Sequence, residues 1–359
     1  MHVTVAICTW NRADLLDAAL ASLAKAAIPA GVTWNVIVAD NNSTDHTEEV
    51  LDKHLGRIPL IRLFVPQQGK SYALNKIVEQ LAGDLVLWTD DDVEVAENWI
   101  ASYVDAAYRW PEATFFGGQI IPRFLGGEPD WLRPAWQAIS GVYSARELGD
   151  EPFILDRKRL PFGANMAARV SMQKRYRFDP ELGRCGELLL SGEETALMQR
   201  WLRDGQVGMW VPQSRVEHII TPDRLEPDHI RRFFFSLAES KRPRGKADSP
   251  VVRLLRGGWY ACRGVTNQAL SGFYPRATQP DRWMKCLKRI SYCWGRVESQ
   301  WYGFPSWLKP APVRRLKQGR RQPRFALPTP VPVGIAAGDA CSPSTAVSDA
   351  ATTAKKAAA

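Results

Sequence analysis

An apolar segment that ends in three consecutive carboxylates places the strongest constraint on the fold of this chain. Residues 85–89 have the length and residue types of a buried strand, and Asp90, Asp91 and Asp92 follow directly. In an open α/β sheet, ligands bind beyond the carboxyl ends of the strands. Adjacent carboxylates repel one another, and a hard divalent cation relieves that repulsion. The run therefore indicates either a metal site or a solvated acidic turn.

Strands and helices alternate through the first part of the chain. Buried-type strands are predicted at residues 3–7, 34–39, 60–65 and 85–89, and apolar residues at helical spacing follow each of the first three. The order β-α-β-α-β-α-β predicts parallel strands joined by right-handed crossovers. The polar residues that follow these strands are then expected around one crevice. They are Thr9, Asn11, Arg12, Asp40, Lys70 and the three aspartates.

Two common nucleotide-binding signatures are missing from these turns. No Gly-x-Gly-x-x-Gly follows the first strand and no Gly-Lys-Ser/Thr loop is present, which disfavours a dinucleotide dehydrogenase and a P-loop NTPase. A sugar nucleotidyltransferase is an alternative enzyme, but it should carry a Gly-rich basic loop where this chain has CTWN at residues 8–11. A non-catalytic, membrane-associated scaffold is the alternative outside enzymes.

A second acidic site is predicted much later in the chain. Glu193 and Glu194 lie in the first turn of a predicted helix, where the helix dipole favours acidic residues. They are then either ordinary helix-start residues or carboxylates that face the crevice. A carboxylate in that position can remove the proton from an attacking hydroxyl.

The series of motifs resembles the family 2 glycosyltransferases, which have the GT-A fold. The matching segments run in family order over about residues 1–220: TWNR at 9–12, VADNNSTD at 38–45, GKSYALN at 69–75, TDDDV at 89–93 with Trp99, GAN at 163–165 and GEET at 192–195. The resemblance implies an α/β GT-A fold, which is Rossmann-like with a mostly parallel central sheet flanked by helices. A C-terminal helical extension is expected to follow it.

The resemblance also implies an activity and a set of site residues. The activity is an inverting, Mg²⁺- or Mn²⁺-dependent transfer of a sugar from a nucleoside-diphosphate donor to a hydroxyl of a glycan or lipid-linked acceptor. The residues that match nucleotide-sugar positions are Thr9, Asn11, Arg12, Asp40, Lys70, Asp90, Asp91 and Asn165. The implied metal residues are Asp92, Asp90 and His218, and the implied catalytic carboxylates are Glu194, as the base, and Glu193.

The C-terminal part of the chain differs sharply in charge. Residues 1–230 contain 23 lysines and arginines against 32 aspartates and glutamates, whereas residues 231–325 contain 22 against 4. Residues 282–297 are predicted to form a basic amphipathic helix, which indicates either binding to an anionic membrane surface or packing on the catalytic domain. No nucleic-acid motif is present. The expected domains are 1–230, a basic helical extension at 231–309 and a disordered tail at 310–359.

The expected location is the cytoplasm, peripheral to the inner face of a bacterial cell membrane, with a role in surface-polysaccharide synthesis. The N-terminus has no signal-peptide pattern, and no apolar stretch approaches the ~20 residues of a spanning helix. The six cysteines have no metal-type spacing and are interpreted as reduced thiols. The QRW at residues 199–201 lacks the two spacer residues of the processive-synthase motif, which disfavours a processive enzyme.

Overall fold

The computed structural model describes residues 1–183, 192–241, 249–302 and 312–313. Its first part confirms the predicted alternation of strands and helices. The elements are β1 (His2–Thr9), α1 (Ala13–Leu23), β2 (Thr33–Asp40), α2 (Thr47–His54), β3 (Leu60–Phe64), α3 (Lys70–Gln80) and β4 (Leu85–Asp90).

The rest of the described chain adds strands to the same sheet and then ends in helices. These elements are β5 (Val93–Val95), α4 (Trp99–Arg109), β6 (Phe115–Phe124), α5 (Leu132–Ile139), β7 (Met166–Arg169), α6 (Val170–Gln173), α7 (Glu193–Arg203), β8 (Gly208–Ile220), α8 (Pro227–Glu239), α9 (Pro250–Ser271) and α10 (Pro280–Gln300). The aromatic segment around residues 131–136 contains α5, whose apolar residues Leu132, Ala135 and Ile139 are buried at helical spacing.

The strands form one mixed sheet in the order β3-β2-β1-β4-β7-β6-β8-β5. The pairs β3-β2, β2-β1 and β1-β4 are parallel, as predicted. Beyond β4 the sheet is no longer purely parallel, because β7 pairs antiparallel with both β4 and β6. The carboxyl ends of β1, β2 and β4 therefore lie at one edge, beside the segment that leads into β7.

Both faces of the sheet are buried at the central strands β1 and β4, which explains why these strands are continuous apolar runs rather than alternating ones. Along β1, Val5 and Ile7 pack into one hydrophobic cluster with α1 and α4. Ala6, between them, points to the opposite face and packs into a second cluster with α3 and α7. This double burial fixes the register of β4, so its terminal carboxylates emerge at the sheet edge.

The C-terminal helices share a hydrophobic core with the rest of the described residues. One cluster joins Met284 and Leu287 of α10 to Phe234 of α8, Ile139 of α5 and Ile220 of β8. The predicted domain boundary after residue 230 falls inside α8. The part of the proposed tail beyond Val313 lies outside the described residues.

The apolar stripe predicted on residues 282–297 is used in packing. Leu287, Trp294 and Val297 are buried, and Trp283 and Ile290 pack against the same clusters. Of the two interpretations of this helix, the structure supports packing, and the stripe is not available to a membrane. None of the described helices combines the length and apolar character needed to span a membrane.

Candidate active site

Two adjoining cavities lie at the carboxyl edge of the sheet. The first, called here the β1–β4 cavity, is lined by Cys8, Thr9, Trp10, Asn11, Arg12, Asn41, Gln68, Lys70, Asp90 and Asp91. The second, called the α7–α8 cavity, is lined by residues that include Glu193, Glu194, Phe233, Phe234 and Lys288. Lys70 and Asp90 line both cavities. The predicted crevice is therefore present, and the second acidic site opens beside it.

Asp91 is held inside the sheet edge by the first strand and the residues after it. Its carboxylate accepts a hydrogen bond from the Thr9 hydroxyl at 2.9 Å and pairs with the Arg12 guanidinium at 2.9 Å. Burial raises the pKa of Asp91, against the lowering effect of Arg12. The Asp91 carboxylate is therefore held by Thr9 and Arg12, although Asp91 and Thr9 both line the β1–β4 cavity.

The carboxylate of Asp92 is surrounded by two arginines and a histidine. Its Oδ2 accepts from Arg12 at 2.9 Å and from Arg224 at 3.0 Å, and its Oδ1 lies 3.3 Å from Nε2 of His218. Burial acts to raise the pKa of Asp92, but His218 and the two arginines outweigh it and hold that pKa well below its usual range. Asp92 is thus a permanent anion at neutral pH.

His218 is oriented by a hydrogen bond from its other ring nitrogen. Nδ1 lies 2.7 Å from the carbonyl oxygen of Tyr143, which favours the tautomer with its proton on Nδ1. Its Nε2 lies 3.3 Å from the Oδ1 of Asp92 and 3.2 Å from the Arg224 guanidinium.

Lys70 connects the carboxylate run to the second acidic site. Its Nζ lies 3.0 Å from Asp90, 2.8 Å from Glu194 and 3.5 Å from Glu193. Although burial acts to lower the pKa of Lys70, the three carboxylates raise it well above its usual value. Lys70 begins α3 after Gly69, and at φ +136° that residue adopts a backbone conformation that side-chain-bearing residues rarely take.

Glu193 and Glu194 differ in their surroundings although they are neighbours. Glu193 is buried, and burial together with the charge of Glu194 raises its pKa to about 8, against the opposing effect of Lys70. Glu194 lies against the backbone of Gly163, where any Cβ would collide with its carboxylate. The glycine of the GAN motif therefore allows Glu194 to lie close to the backbone at this point.

Asn11 and Asp40 hold the loops after β1 and β2 together. Asn11 has a positive φ of 50°, and its side-chain oxygen accepts from the backbone N–H of Thr44 at 2.7 Å. The Asp40 carboxylate accepts from the backbone N–H of Ser43 at 2.9 Å. Asn11 lines the β1–β4 cavity, whereas Asp40 lies just beside it at the end of β2.

Asn165 lies in the interior, a placement that does not support its predicted contact with a nucleotide sugar. Its side chain is 0% exposed. The oxygen accepts from Trp99 at 2.8 Å and Tyr103 at 2.7 Å, and the amide donates to the carbonyls of Gln119 and Ser214. A fully satisfied buried amide of this kind joins α4, β6 and β8, which favours a structural role.

Several residues of the site were not identified from the sequence. Arg224 lies in a short 3₁₀ helix after β8, and nothing in the sequence links it to Asp92, 132 positions earlier. Trp10, Asn41 and Gln68 also line the β1–β4 cavity. These three could have been found, because each lies beside a residue or motif that was already noted.

No group of three or more histidine, cysteine, aspartate or glutamate side chains is arranged to hold a metal ion within the ranges that the structure describes. Of the three predicted metal residues, Asp92 and His218 are brought together. Asp90 instead pairs with Lys70.

Three comparisons place this arrangement among known proteins. The model of glycosyl transferase family 2 matches residues 4–165. The succinoglycan biosynthesis protein ExoM of Rhizobium meliloti (strain 1021) is 27% identical over 278 residues, which are 76% of this chain and 81% of that protein. The glucosyl-dolichyl phosphate glucuronosyltransferase of Haloferax volcanii is 26% identical over 249 residues, 67% of this chain and 77% of that protein.

A solved structure supports the fold assignment independently. It is the mannosyltransferase PcManGT from Pyrobaculum calidifontis, in complex with GDP-Man and Mn²⁺, with a TM-score of 0.55 at 17% identity over 83% of this chain and 87% of that one. At that identity the likeness concerns the fold alone, which is the GT-A fold implied by the motifs. The family match and the two relatives agree on the activity: residues 4–165 match the model of glycosyl transferase family 2, and this chain is a glycosyltransferase.

Proposed function

We propose that this chain transfers a sugar from a nucleoside diphosphate to an acceptor hydroxyl with inversion at the sugar carbon. The observation that carries the proposal is that Lys70 and Asp90 line both cavities at once. A single displacement needs the attacking hydroxyl on the face opposite the leaving diphosphate. Adjoining cavities, one with an arginine and a lysine and the other with a carboxylate pair, supply those two faces.

The β1–β4 cavity is proposed as the donor site. Asn11 and Asp40, at the ends of β1 and β2, offer hydrogen-bond acceptors for the base and ribose. Arg12 and Lys70 offer positive charge for the diphosphate, whose negative charge grows as the glycosidic bond breaks. Charged groups fixed in a buried site stabilise such charge more than water does, because they need no reorganisation.

A divalent cation, Mg²⁺ or Mn²⁺, is proposed to act with Asp92 and His218. A carboxylate oxygen suits Mg²⁺ and Mn²⁺, and the second ring nitrogen of His218 is anchored by Tyr143, as is usual for a metal-binding histidine. When bound, the cation would neutralise charge on the leaving diphosphate. Asp92 supplies the permanent negative charge for it, and Arg12 and Arg224 hold that carboxylate in place.

Glu194 is proposed as the base that takes the proton from the acceptor hydroxyl. Its neighbour Glu193 has a pKa raised to about 8, so Glu193 carries a proton at neutral pH and is a poor acceptor of another. Glu194 lines the α7–α8 cavity, and its carboxylate is positioned by Lys70 at 2.8 Å.

The acceptor is proposed to be a glycan or a lipid-linked sugar in the synthesis of a surface polysaccharide. Two relatives support this class by their names, one a succinoglycan biosynthesis protein and the other a transferase acting on glucosyl-dolichyl phosphate. The walls of the α7–α8 cavity are partly aromatic, with Phe162, Phe233 and Phe234. Aromatic side chains suit both sugar rings and hydrocarbon chains.

Peripheral binding to the anionic inner face of the cell membrane is proposed for α9 rather than for α10. Its large side chains Leu255, Trp259 and Val265 are 68%, 54% and 59% exposed, and the Arg263 guanidinium lies over the Trp259 ring. Residues 249–302 contain nine lysines and arginines against two acidic residues. Exposed apolar groups beside positive charge match an anionic lipid surface.

The membrane proposal is tested by flotation with vesicles that contain or lack anionic lipid. We expect binding to the anionic vesicles only, and release by the double substitution Leu255→Glu and Trp259→Glu. Phe64→Glu, on an exposed apolar residue of β3, is the matched control and should still bind. Equal binding of the wild type and the double variant would contradict the proposal.

The catalytic proposal is tested by donor turnover of the purified protein. Nucleotide sugars of uridine, guanosine and thymidine are screened for thermal stabilisation and for nucleoside-diphosphate release, with and without Mn²⁺. We expect at least one donor to stabilise the protein and to release its nucleoside diphosphate in a metal-dependent way. Pyrophosphate release from a nucleoside triphosphate and a sugar phosphate would instead indicate a nucleotidyltransferase. Absence of all nucleotide binding would indicate a scaffold.

A further inference from the structure

Lys288 is a second cation in the α7–α8 cavity, on a helix far from the family motifs in the chain. It belongs to α10, and it lines the same cavity as Glu194. Its Nζ donates to the carbonyl oxygen of Ala138 in α5 at 2.9 Å. The same ammonium group lies 5.0 Å from the centre of the Phe234 ring. These contacts fix the position of the charge at the cavity wall.

Within the part of the chain that the structure describes, Lys288 has no carboxylate partner of the kind that Lys70 has. Lys70 lies within 3.5 Å of three carboxylates. No carboxylate of the described residues lies within ion-pair distance of Lys288, whose contacts there are a carbonyl and an aromatic ring. Burial lowers the pKa of Lys288, because a partly desolvated ammonium loses hydration that these contacts replace incompletely. An anion in the cavity would restore that stabilisation.

The wall beside Lys288 is apolar. Phe233, Phe234 and Leu237 of α8 line the cavity around it, whose volume is about 420 Å³. This volume is within the usual range for sites that bind small organic ligands. A ligand that satisfies both features carries an anionic group joined to a hydrocarbon part. The acidic group at the other wall, Glu194, is then left to face a hydroxyl.

We propose that Lys288 binds the phosphate of an acceptor whose sugar is linked through phosphate to a lipid chain, with the start of that chain against Phe233, Phe234 and Leu237. This inference rests on the proposed function, because it takes the α7–α8 cavity as the acceptor site. It assigns acceptor recognition to a residue that lies outside the matched family region, 4–165. Lys288 acts here by binding the acceptor and not by proton transfer.

The test measures binding of farnesyl phosphate, farnesol and inorganic phosphate to the full chain by calorimetry. Farnesyl phosphate carries both features of the proposed ligand, whereas each of the other probes carries one. We expect farnesyl phosphate to bind about tenfold or more tightly than either, since a hydrogen bond to a charged group contributes at least that factor. If the chain bound farnesol as tightly as farnesyl phosphate, the proposed contact with the phosphate charge would be wrong. If it bound inorganic phosphate as tightly as farnesyl phosphate, the proposed contact with the lipid chain would be wrong.

Variants of α10 then locate the binding. Lys288→Met should lose the preference for farnesyl phosphate over farnesol, and Lys288→Arg should keep most of it. Lys285→Met is the matched control, because Lys285 is an exposed lysine of the same helix that pairs with Asp281, and it should bind as the wild type does. An unchanged preference in folded Lys288→Met would overturn the proposal. If that variant does not fold, the comparison of the three probes on the wild type still tests the proposal.

Failure of this inference and failure of the proposed function give different results. Metal-dependent release of a nucleoside diphosphate from a nucleotide sugar by the wild type tests the donor site and needs no lipid. Donor turnover without a farnesyl phosphate preference would overturn the inference alone. A missing donor turnover would overturn the proposed function, and with it the meaning of Lys288 as an acceptor contact.

Discussion

The site has two acidic clusters, one centred on Asp92 and the other on Glu193 and Glu194. Their side chains are similar, but the negative charge of each cluster is neutralised by different partners. Asp92 is buried among two arginines and a histidine, and its pKa is held well below the usual range. Glu193 is equally buried, but it shares the ammonium of Lys70 with Glu194 and Asp90, and its pKa is raised to about 8. The first cluster is therefore a fixed charge, whereas the second holds an exchangeable proton. Their difference predicts separate roles, one in binding the donor and one in proton transfer.

The largest effect is expected from removing the base. Glu194→Gln keeps the size and hydrogen-bonding capacity of the side chain but cannot accept the hydroxyl proton. We expect the transfer rate to fall by about 10²–10⁴-fold, the usual contribution of a positioned general base. The measurement is steady-state transfer under saturating donor. Glu49→Gln, an exposed residue of α2, is the control and should retain wild-type turnover.

A smaller effect, on stability, is expected from removing one arginine of the first cluster. Arg224→Met leaves Asp92 buried with less compensation, and we expect the free energy of unfolding to fall by about 2–4 kcal/mol. Chemical denaturation at pH 7 measures it. Arg215→Met is the control, because Arg215 is half exposed and its nearest carboxylate oxygen, on Glu217, is as far as 4.0 Å away. We therefore expect its free energy of unfolding to change by less than about 0.5 kcal/mol. Equal losses in the two variants would mean that Arg224 is not coupled to Asp92.

The smallest effect concerns the proton held by Glu193. Its pKa is raised from 4.5 to about 8 on folding, so the folded state binds more protons than the unfolded state between those values. Stability must therefore decrease as pH rises through that window. Glu193→Gln removes this dependence, and we expect its melting temperature to exceed that of the wild type by more at pH 8.5 than at pH 5. The difference should correspond to about 1–3 kcal/mol. A constant difference across the range would show that Glu193 has an ordinary pKa.

Much of the fold and of the first cluster could be predicted from local patterns. The β-α alternation and the apolar runs of β1, β2 and β4 fix a parallel sheet, and that sheet places Thr9, Arg12, Lys70 and the aspartates together. These are consequences of residues near each other in the chain or at equivalent strand ends. The expectation that Glu194 serves as the base of this site depended on recognising the family motifs, and its pairing with Lys70, 124 positions away, was not predicted.

The parts that could not be predicted depend on contacts between distant segments. Arg224 reaches Asp92 across 132 positions, with no periodicity to reveal it. Asn165 matched a family motif, but its burial depends on how α4, β6 and β8 meet around it. The amphipathic pattern of α10 was recognised, but a pattern does not tell whether lipid or protein covers the apolar stripe. Packing against α5 and α8 decided that.

The most direct test of the central claim compares Asp92→Asn with Glu194→Gln in two assays. One is the dissociation constant of the nucleoside diphosphate in the presence of Mn²⁺, and the other is the transfer rate at saturating donor. We predict that Asp92→Asn weakens nucleotide binding about tenfold or more and abolishes its dependence on Mn²⁺, whereas Glu194→Gln leaves binding within about twofold and loses transfer. Equal loss of nucleotide binding in both variants would contradict the division of roles between the two acidic clusters.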